Sequence, residues 1–242
     1  MTSRPPASRS RRERPAKSAL TYEGIVATAV ALMRAEGLHR VTMRRLAQEL
    51  DTGPASLYVY VANTAELHAA ILEELLGEVD LSPAETATPD AAASDTVPDE
   101  DWRERLAEVL GSYTRILFAH PSLAQSALVA RPVGPNYLAL VEAILALLHE
   151  GGVPGAQAAW GVDVLLLVAT ATAAEQSTRD RSSDAEEEYD ALVAALHDVS
   201  ATTYPRIAAL GTELVSGSPE QRLAWTFRTV INGARSTPVT TD

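Results

Sequence analysis

Apolar residues recur every three or four positions along most of this chain, which predicts a series of amphipathic helices. The first is residues 22–36, where Thr21 suits the N-cap and Gly37 suits the position just after the helix end. Its apolar stripe is formed by Ile25, Val26, Ala29, Leu32 and Met33. Strict apolar–polar alternation is missing from the chain, so the pattern predicts an all-α fold.

A short helix, a tight turn and a second short helix are predicted next. Thr42 is a good N-cap for the first, residues 43–50, and the Asp-Thr-Gly-Pro sequence at 51–54 is typical of a turn. Pro54 suits the first turn of the second helix, residues 55–61. Two short helices joined by a glycine-containing turn are typical of the DNA-binding helix-turn-helix, although an ordinary helical hairpin gives the same pattern.

A long helix and then a loop are predicted after this unit. Asn63, followed three residues later by Glu66, has the pattern of a capping box. We assign residues 18–66 to the helix-turn-helix domain and residues 67–80 to a connector helix. Residues 81–100 are rich in Pro, Ala, Thr and Asp, which predicts a mobile acidic loop.

Further helices are predicted throughout residues 101–235, separated by breaks at Pro and Gly. Two of them have few polar positions. Residues 156–174 are almost all apolar or small, and residues 219–234 are apolar over much of their length. A helix that is apolar all round must be buried all round, so residues 156–174 are expected at the centre of a bundle.

The charge is unevenly divided between the two halves of the chain. Residues 1–60 carry a net charge of +5 and residues 61–242 carry −17, which together give −12. The basic charge coincides with the predicted helix-turn-helix, and the acidic remainder would repel DNA and help to orient the protein. Residues 1–17 predict a disordered basic arm, with contact of its arginines to the minor groove as the alternative.

The sequence also excludes several classes of site. It contains no Cys, which rules out disulfides, thiol nucleophiles and cysteine metal ligands. It has no phosphate-binding glycine loop, nucleophile elbow or metal-spaced His pair, so we expect no metal, no cofactor and no enzyme, a helical-bundle enzyme being a remote alternative. We expect a cytoplasmic protein without a secretory signal or membrane span.

Two segments carry a family resemblance: LTYEGIVATAVALMRAEGLHRVTMRRLAQEL at 20–50 and SLYVYVANTAEL at 56–67. Both resemble the DNA-binding domain of the tetracycline-repressor (TetR) family, and residues 100–235 resemble, more weakly, its ligand-binding half. The resemblance implies an N-terminal three-helix domain joined by the connector to a C-terminal ligand-binding and dimerisation domain. It implies a homodimeric repressor that a small organic effector releases from a palindromic operator; control by a protein partner without a small ligand is the alternative.

The resemblance also implies which residues contact DNA. Arg44 is expected to contact guanine or phosphate, Arg45 phosphate, and the two tyrosines to give their hydroxyls to phosphates. The full set is Thr42, Arg44, Arg45, Thr52, Gly53, Pro54, Ala55, Ser56, Tyr58, Tyr60 and Thr64. The chain departs from the family at Asp51, where Gly is usual, and at Thr64, where a phosphate-binding Lys is common. Direct base readout by the second helix is expected to be poor because Pro54 and Ala55 have no hydrogen-bonding side chain.

The effector site is expected in the C-terminal half, at polar or charged groups that occupy apolar surroundings. The candidates are Tyr113, Arg131, Tyr137, Trp160 and Glu175. In the alternative interpretation the aromatic ones are core filler, Arg131 only holds the loop at Pro132, and Glu175 is a satisfied helix-end carboxylate. Ala127 stands where the tetracycline repressor has its magnesium-binding histidine, so we expect a mostly apolar or aromatic ligand and not magnesium-tetracycline. The expected dimer contacts are Leu165, Leu166, Ala169, Leu223, Phe227 and Val230.

Overall fold

The computed structural model describes residues 19–85, 101–129, 132–179 and 182–240, and over these ranges it contains helices and turns but no strand. The predicted all-α fold is confirmed. The basic arm at residues 1–17 and most of the predicted acidic loop lie outside the described residues.

The N-terminal unit begins with the helices that the capping residues predict. They are α1 (Tyr22–Glu36), α2 (Met43–Glu49), α3 (Pro54–Leu57) and α4 (Thr64–Leu76), with a single 3-10 turn at Leu38–Arg40 between α1 and α2. The hydroxyls of Thr21 and Thr42 accept hydrogen bonds from the backbone N–H groups of Gly24 and Arg45, each at 3.1 Å. Gly37 ends α1 with φ 87°, a conformation that glycine adopts without steric cost.

The C-terminal bundle contains the remaining helices. They are α5 (Ser82–Glu85), α6 (Asp101–Ala119), α7 (Pro121–Ala127), α8 (Pro135–Glu150), α9 (Gly155–Arg179), α10 (Ala185–His197), α11 (Pro205–Leu214) and α12 (Pro219–Ser236). Helix α9 is central, with α6, α7, α8 and α12 packed on it, while α4 reaches from the N-terminal unit onto α7 and α8. Helices α10 and α11 pack on each other as a hairpin.

Two predicted segments differ from the structure for local reasons. The second short helix ends at Leu57, since residues 58–60 form a turn. The loop predicted to start at residue 81 instead begins with the short helix α5. The Asp80 carboxylate accepts hydrogen bonds from the Ser82 N–H at 3.0 Å and the Ser82 hydroxyl at 2.6 Å, which favours a helical start there.

Within the single chain helix α9 is buried on one face only, so burial of its other face, as expected from its apolar sequence, would require a second chain. Its inner face lies in the core, where Leu165 and Ala169 are fully buried. Its outer face exposes Trp160, Val164 and Leu167. By length and composition α9 could cross a membrane, but its burial among the neighbouring helices is that of a bundle's central helix.

Candidate DNA-binding surface and ligand cavity

The helix-turn-helix buries its apolar residues and turns its small and polar residues outward. Leu46 and Leu57 are fully buried and hold α2 against α3. The outward residues include Thr42, Arg44, Gly53, Pro54, Ala55 and Ser56. Asp51 adopts φ 47° in the turn, in the left-handed region where the family usually has glycine.

The two adjacent arginines of α2 are used differently. The Arg45 guanidinium forms ion pairs with Glu36 at 2.7 Å and Glu49 at 2.6 Å, and its hydrogen bond to Glu36 lowers the pKa of that carboxyl. Arg44 is exposed and forms no ion pair or hydrogen bond with the described part of the chain. The expected phosphate contact of Arg45 is therefore unfavourable in this conformation, while Arg44 remains available.

The two tyrosines after α3 also differ. The Tyr60 hydroxyl donates to the Leu20 carbonyl at 2.8 Å, which ties this turn to the start of α1. Tyr58 is about half exposed, at 53%, and its hydroxyl has no partner within the described ranges. The structure thus gives Tyr60 an internal partner in place of the expected phosphate, and leaves Tyr58 available.

The remaining expected DNA contacts flank this surface. Thr42 is exposed but its oxygen already caps α2, and Thr64 is exposed at the start of α4. Thr52 is partly buried, and its backbone N–H donates to the Ala47 carbonyl at 2.9 Å. Sequence reasoning missed Arg40, which ends the 3-10 turn, is exposed and is unpaired among the described residues. The signal was a basic residue two positions before the N-cap of α2.

A small cavity of about 90 Å³ lies where α4 meets the C-terminal bundle. Residues from five helices line it, together with Leu128 just after α7 and Pro132 in the loop before α8. They include Leu72, Tyr113, Tyr137, Asp163, Leu166, Leu167 and Thr170. The Tyr113 hydroxyl lies 2.7 Å from the Thr170 hydroxyl, and burial raises the pKa of Tyr113, so a neutral phenol faces this space. Ala127, which the family resemblance places near the magnesium-binding histidine, also lines it.

The five expected ligand residues do not all come together. Tyr113 and Tyr137 line the cavity, and Arg131 lies outside the described residues. Trp160 and Glu175 instead lie on the outer face of α9, where Trp160 is 61% exposed and Glu175 pairs with Arg179 at 2.7 Å. Helical periodicity separates them from the inner face that bears Thr170. No cluster of three or more potential metal ligands occurs among the described residues.

The expected dimer residues divide in the same way. Leu165, Leu166, Ala169 and Phe227 are buried in the chain's own core, so they present no free surface, while Leu223 and Val230 are partly buried. The exposed apolar side chains on the same two helices are Trp160, Val164, Leu167 and Trp225. Helices α9 and α12 run antiparallel, with the Gln157 side chain donating to the Ala234 carbonyl at 2.8 Å. The surface available to a second chain is thus formed by neighbours of the predicted residues.

Two protein-family descriptions match the chain over complementary ranges. The description "Bacterial regulatory proteins, tetR family" matches residues 25–71, which contain the helix-turn-helix. The description "Tetracyclin repressor-like, C-terminal domain" matches residues 96–237, which contain the cavity and the α9–α12 face.

Solved structures and a curated relative agree with these matches. A transcription regulator from Streptomyces coelicolor is 58% identical, with a TM-score of 0.73 over 93% of this chain and 100% of that one. The TetR family protein ActR of S. coelicolor, solved in complex with actinorhodin, is 34% identical, with a TM-score of 0.73 over 90% of this chain and 96% of that one. An HTH-type transcriptional regulator of Saccharopolyspora erythraea is 31% identical over 56% of this chain, but the match spans only 52% of that protein.

Proposed function

Because the chain belongs to the TetR family of bacterial transcriptional regulators, we propose that it is a cytoplasmic, homodimeric repressor that a small aromatic molecule releases from a palindromic operator. The observation that carries this proposal is that helix α4 contacts both the helix-turn-helix and the cavity. It follows the helix-turn-helix directly, and its Leu72 and Leu76 line the cavity. A ligand that changes the shape of the cavity would therefore move the helix that positions the DNA-binding surface.

DNA recognition is proposed to depend on α2 as much as on α3. Arg44 is exposed and unpaired among the described residues, and a guanidinium can bind guanine O6 and N7 with two hydrogen bonds. Tyr58 and Arg40, which are both exposed, are proposed to contact the phosphate backbone of DNA. Two copies related by a two-fold axis would present their recognition helices roughly 34–36 Å apart, one turn of DNA.

The proposed effector is a mostly apolar, aromatic molecule with hydroxyl or carbonyl groups. Apolar side chains line the cavity together with the polar residues Tyr113, Asp163 and Thr170. A relative that is 34% identical over 90% of this chain was solved with actinorhodin. Ala127 offers no metal ligand, so magnesium-tetracycline is disfavoured.

The cavity must widen to hold such a molecule. Its volume of about 90 Å³ is below the roughly 300–1,000 Å³ of typical ligand pockets. Widening moves α4, α7 or α8 apart, and a coupling of only about 1–3 kcal/mol is enough to release DNA.

The test is DNA footprinting of the full chain on the region upstream of its own gene, with and without actinorhodin as the probe. We expect a protected palindrome that is lost when actinorhodin is added, while tetracycline with magnesium has no effect. Arg44→Ala serves as the matched DNA-binding variant. Protection without symmetry would contradict the dimer, and protection that magnesium-tetracycline removes would contradict the proposed effector class.

The small cavity also favours a second candidate, a DNA-binding regulator controlled by a protein partner. The two candidates predict different responses to small aromatic molecules. If a panel of hydroxylated polycyclic aromatics changed neither the melting temperature of the protein nor its footprint on DNA, control by a protein partner would be favoured.

A further inference from the structure

Helix α8 is capped by a side chain of α4, the helix that contains most of the predicted connector, and not by its own N-cap residue. Gly134 occupies the N-cap position and has no side chain, and Pro135 has no N–H. The next two backbone N–H groups, of Asn136 and Tyr137, donate to Glu73, one to each carboxylate oxygen, at 2.6 and 3.3 Å. The carboxylate thus satisfies two free donors and places its negative charge at the positive end of a 16-residue helix.

The capping is reciprocal. The Asn136 side-chain amide donates to the backbone carbonyl of Glu73 at 3.0 Å. Glu73 lies in the last turn of α4, where carbonyls have no partner within the helix. The end of α4 and the start of α8 therefore complete each other's hydrogen bonds.

The glycines at this contact keep the two helices close. A Cβ on Gly134 would lie 2.4 Å from the Glu73 carboxyl carbon, a distance that requires the carboxylate to move. A Cβ on Gly77 would lie 3.1 Å from the Asn136 amide nitrogen. The Glu73 cap thus depends on the absence of a side chain at Gly134.

This contact lies beside the cavity wall. Leu72 and Leu76 on α4 and Tyr137 on α8 line the cavity, and Tyr137 is also the residue whose N–H reaches Glu73. We propose that Glu73 is the positioning residue that joins the cavity to the connector, so that displacement of Tyr137 by a ligand moves α4. This inference rests on the proposed function, because it assigns the residue through which that response passes.

The test measures the position of α4 without DNA or effector. The chain has no native Cys, so spin labels can be placed at Ala65→Cys on α4 and Glu142→Cys on α8, both exposed positions. Dilution with unlabelled chain leaves the distance within one chain as the main signal. We expect a narrow distance distribution in the parent and in Glu74→Ala, an exposed neighbour on the same helix, and a broad one in Glu73→Ala.

A second variant separates positioning from simple capping. Glu73→Ala is expected to lower the melting temperature by about 2–4 °C, as the loss of a helix cap does. Adding Gly134→Ser restores a local cap, since the backbone there is extended, with φ −86° and ψ 178°. The double variant should regain the melting temperature but keep the broad distribution.

Two results would overturn the inference: a narrow distribution in Glu73→Ala, or a narrow distribution restored by Gly134→Ser. In the footprinting assay, Glu73→Ala should bind the operator but respond less to actinorhodin. If the parent itself does not respond to actinorhodin, the proposed effector fails, while the distance measurement still decides the role of Glu73.

Discussion

The helix-turn-helix and the C-terminal bundle leave different kinds of groups on their surfaces. In the first, Leu46, Leu57 and Val61 close the apolar core completely, and unpaired polar groups such as Arg44 and the Tyr58 hydroxyl remain outside within the described residues. In the second, α9 and α12 fill the core with one face and still expose large apolar side chains on another, Trp160 and Trp225 among them.

This difference indicates two kinds of partner. Spare hydrogen-bond donors suit a phosphate backbone and base edges, which keep part of their hydration when bound. Large exposed apolar side chains on a pair of antiparallel helices suit another protein surface, because removing apolar area from water is favourable. We therefore expect the chain to recognise DNA with groups that its fold leaves unpaired, and its own copy with apolar area that its fold leaves uncovered.

The largest expected effect comes from placing a charge on the apolar face. Val164→Arg should weaken dimerisation by about 3–5 kcal/mol, because the guanidinium would be buried without a partner. Val129→Arg makes the same change at an exposed valine outside this face. Sedimentation velocity measures the dimer fraction of both variants. If Val164→Arg dimerised like the parent, the apolar face of α9 and α12 would not be the surface that binds a second chain.

The next effect separates the two arginines of α2. Arg44→Ala should cost about 1–3 kcal/mol in operator binding and relax specificity at one base pair. Arg45→Ala should leave operator affinity close to that of the parent, because its guanidinium is held by Glu36 and Glu49. Binding titrations on single-base operator variants measure both, and an equal loss from Arg44→Ala on every sequence would reassign Arg44 to phosphate.

A smaller effect is expected from the tyrosine hydroxyls. Tyr60→Phe should lower the free energy of unfolding by about 0.5–1.5 kcal/mol, because the Leu20 carbonyl loses its donor. Tyr58→Phe should leave stability unchanged and weaken operator binding. In urea unfolding Tyr60→Phe should be the less stable variant, and in DNA titration Tyr58→Phe should be the weaker binder. If one variant were the more impaired in both assays, this division of roles would be contradicted.

The smallest effect concerns the contact between the regions, where His68 on α4 lies 3.1 Å from the Ser126 hydroxyl on α7. Burial lowers the pKa of His68 from 6.5, so the unfolded chain binds its proton more readily than the folded one. The contribution of neutral His68 is therefore present above about pH 6.5 and is lost as the pH falls towards the lower folded pKa. Unfolding curves should show a shallower loss of stability on acidification in His68→Gln, and equal slopes would contradict this.

Features set by neighbouring residues were predictable from the sequence. Thr21 and Thr42 are the N-caps that their positions suggest, because capping involves residues two or three apart. The helix-turn-helix was also predictable, because its two short helices and the turn between them are encoded within one short segment, residues 41–61. The Asn63 capping box is changed in one detail: Glu66 accepts from the Ala62 N–H at 2.7 Å, one residue before the expected donor.

Features set by distant residues were not predictable in this way. Glu73 and Asn136 are 63 positions apart, and nothing in either neighbourhood indicates that one caps the other's helix. The ion pair of Arg45 with Glu36 crosses a turn. For α9, an almost uniformly apolar sequence has no polar stripe to show which face turns inward, so the sequence did not indicate that Trp160 lies on the outer face and Leu165 on the inner one.

The recognition helix α3 is only four residues long and contributes Pro54 and Ala55, whose side chains form no hydrogen bonds. Base pairs facing those residues would experience little selection, since few substitutions there would alter a specific contact. Promoters under this regulator could therefore diverge at such positions while remaining under common control, and a comparison of its binding sites across a genome should show variable bases there.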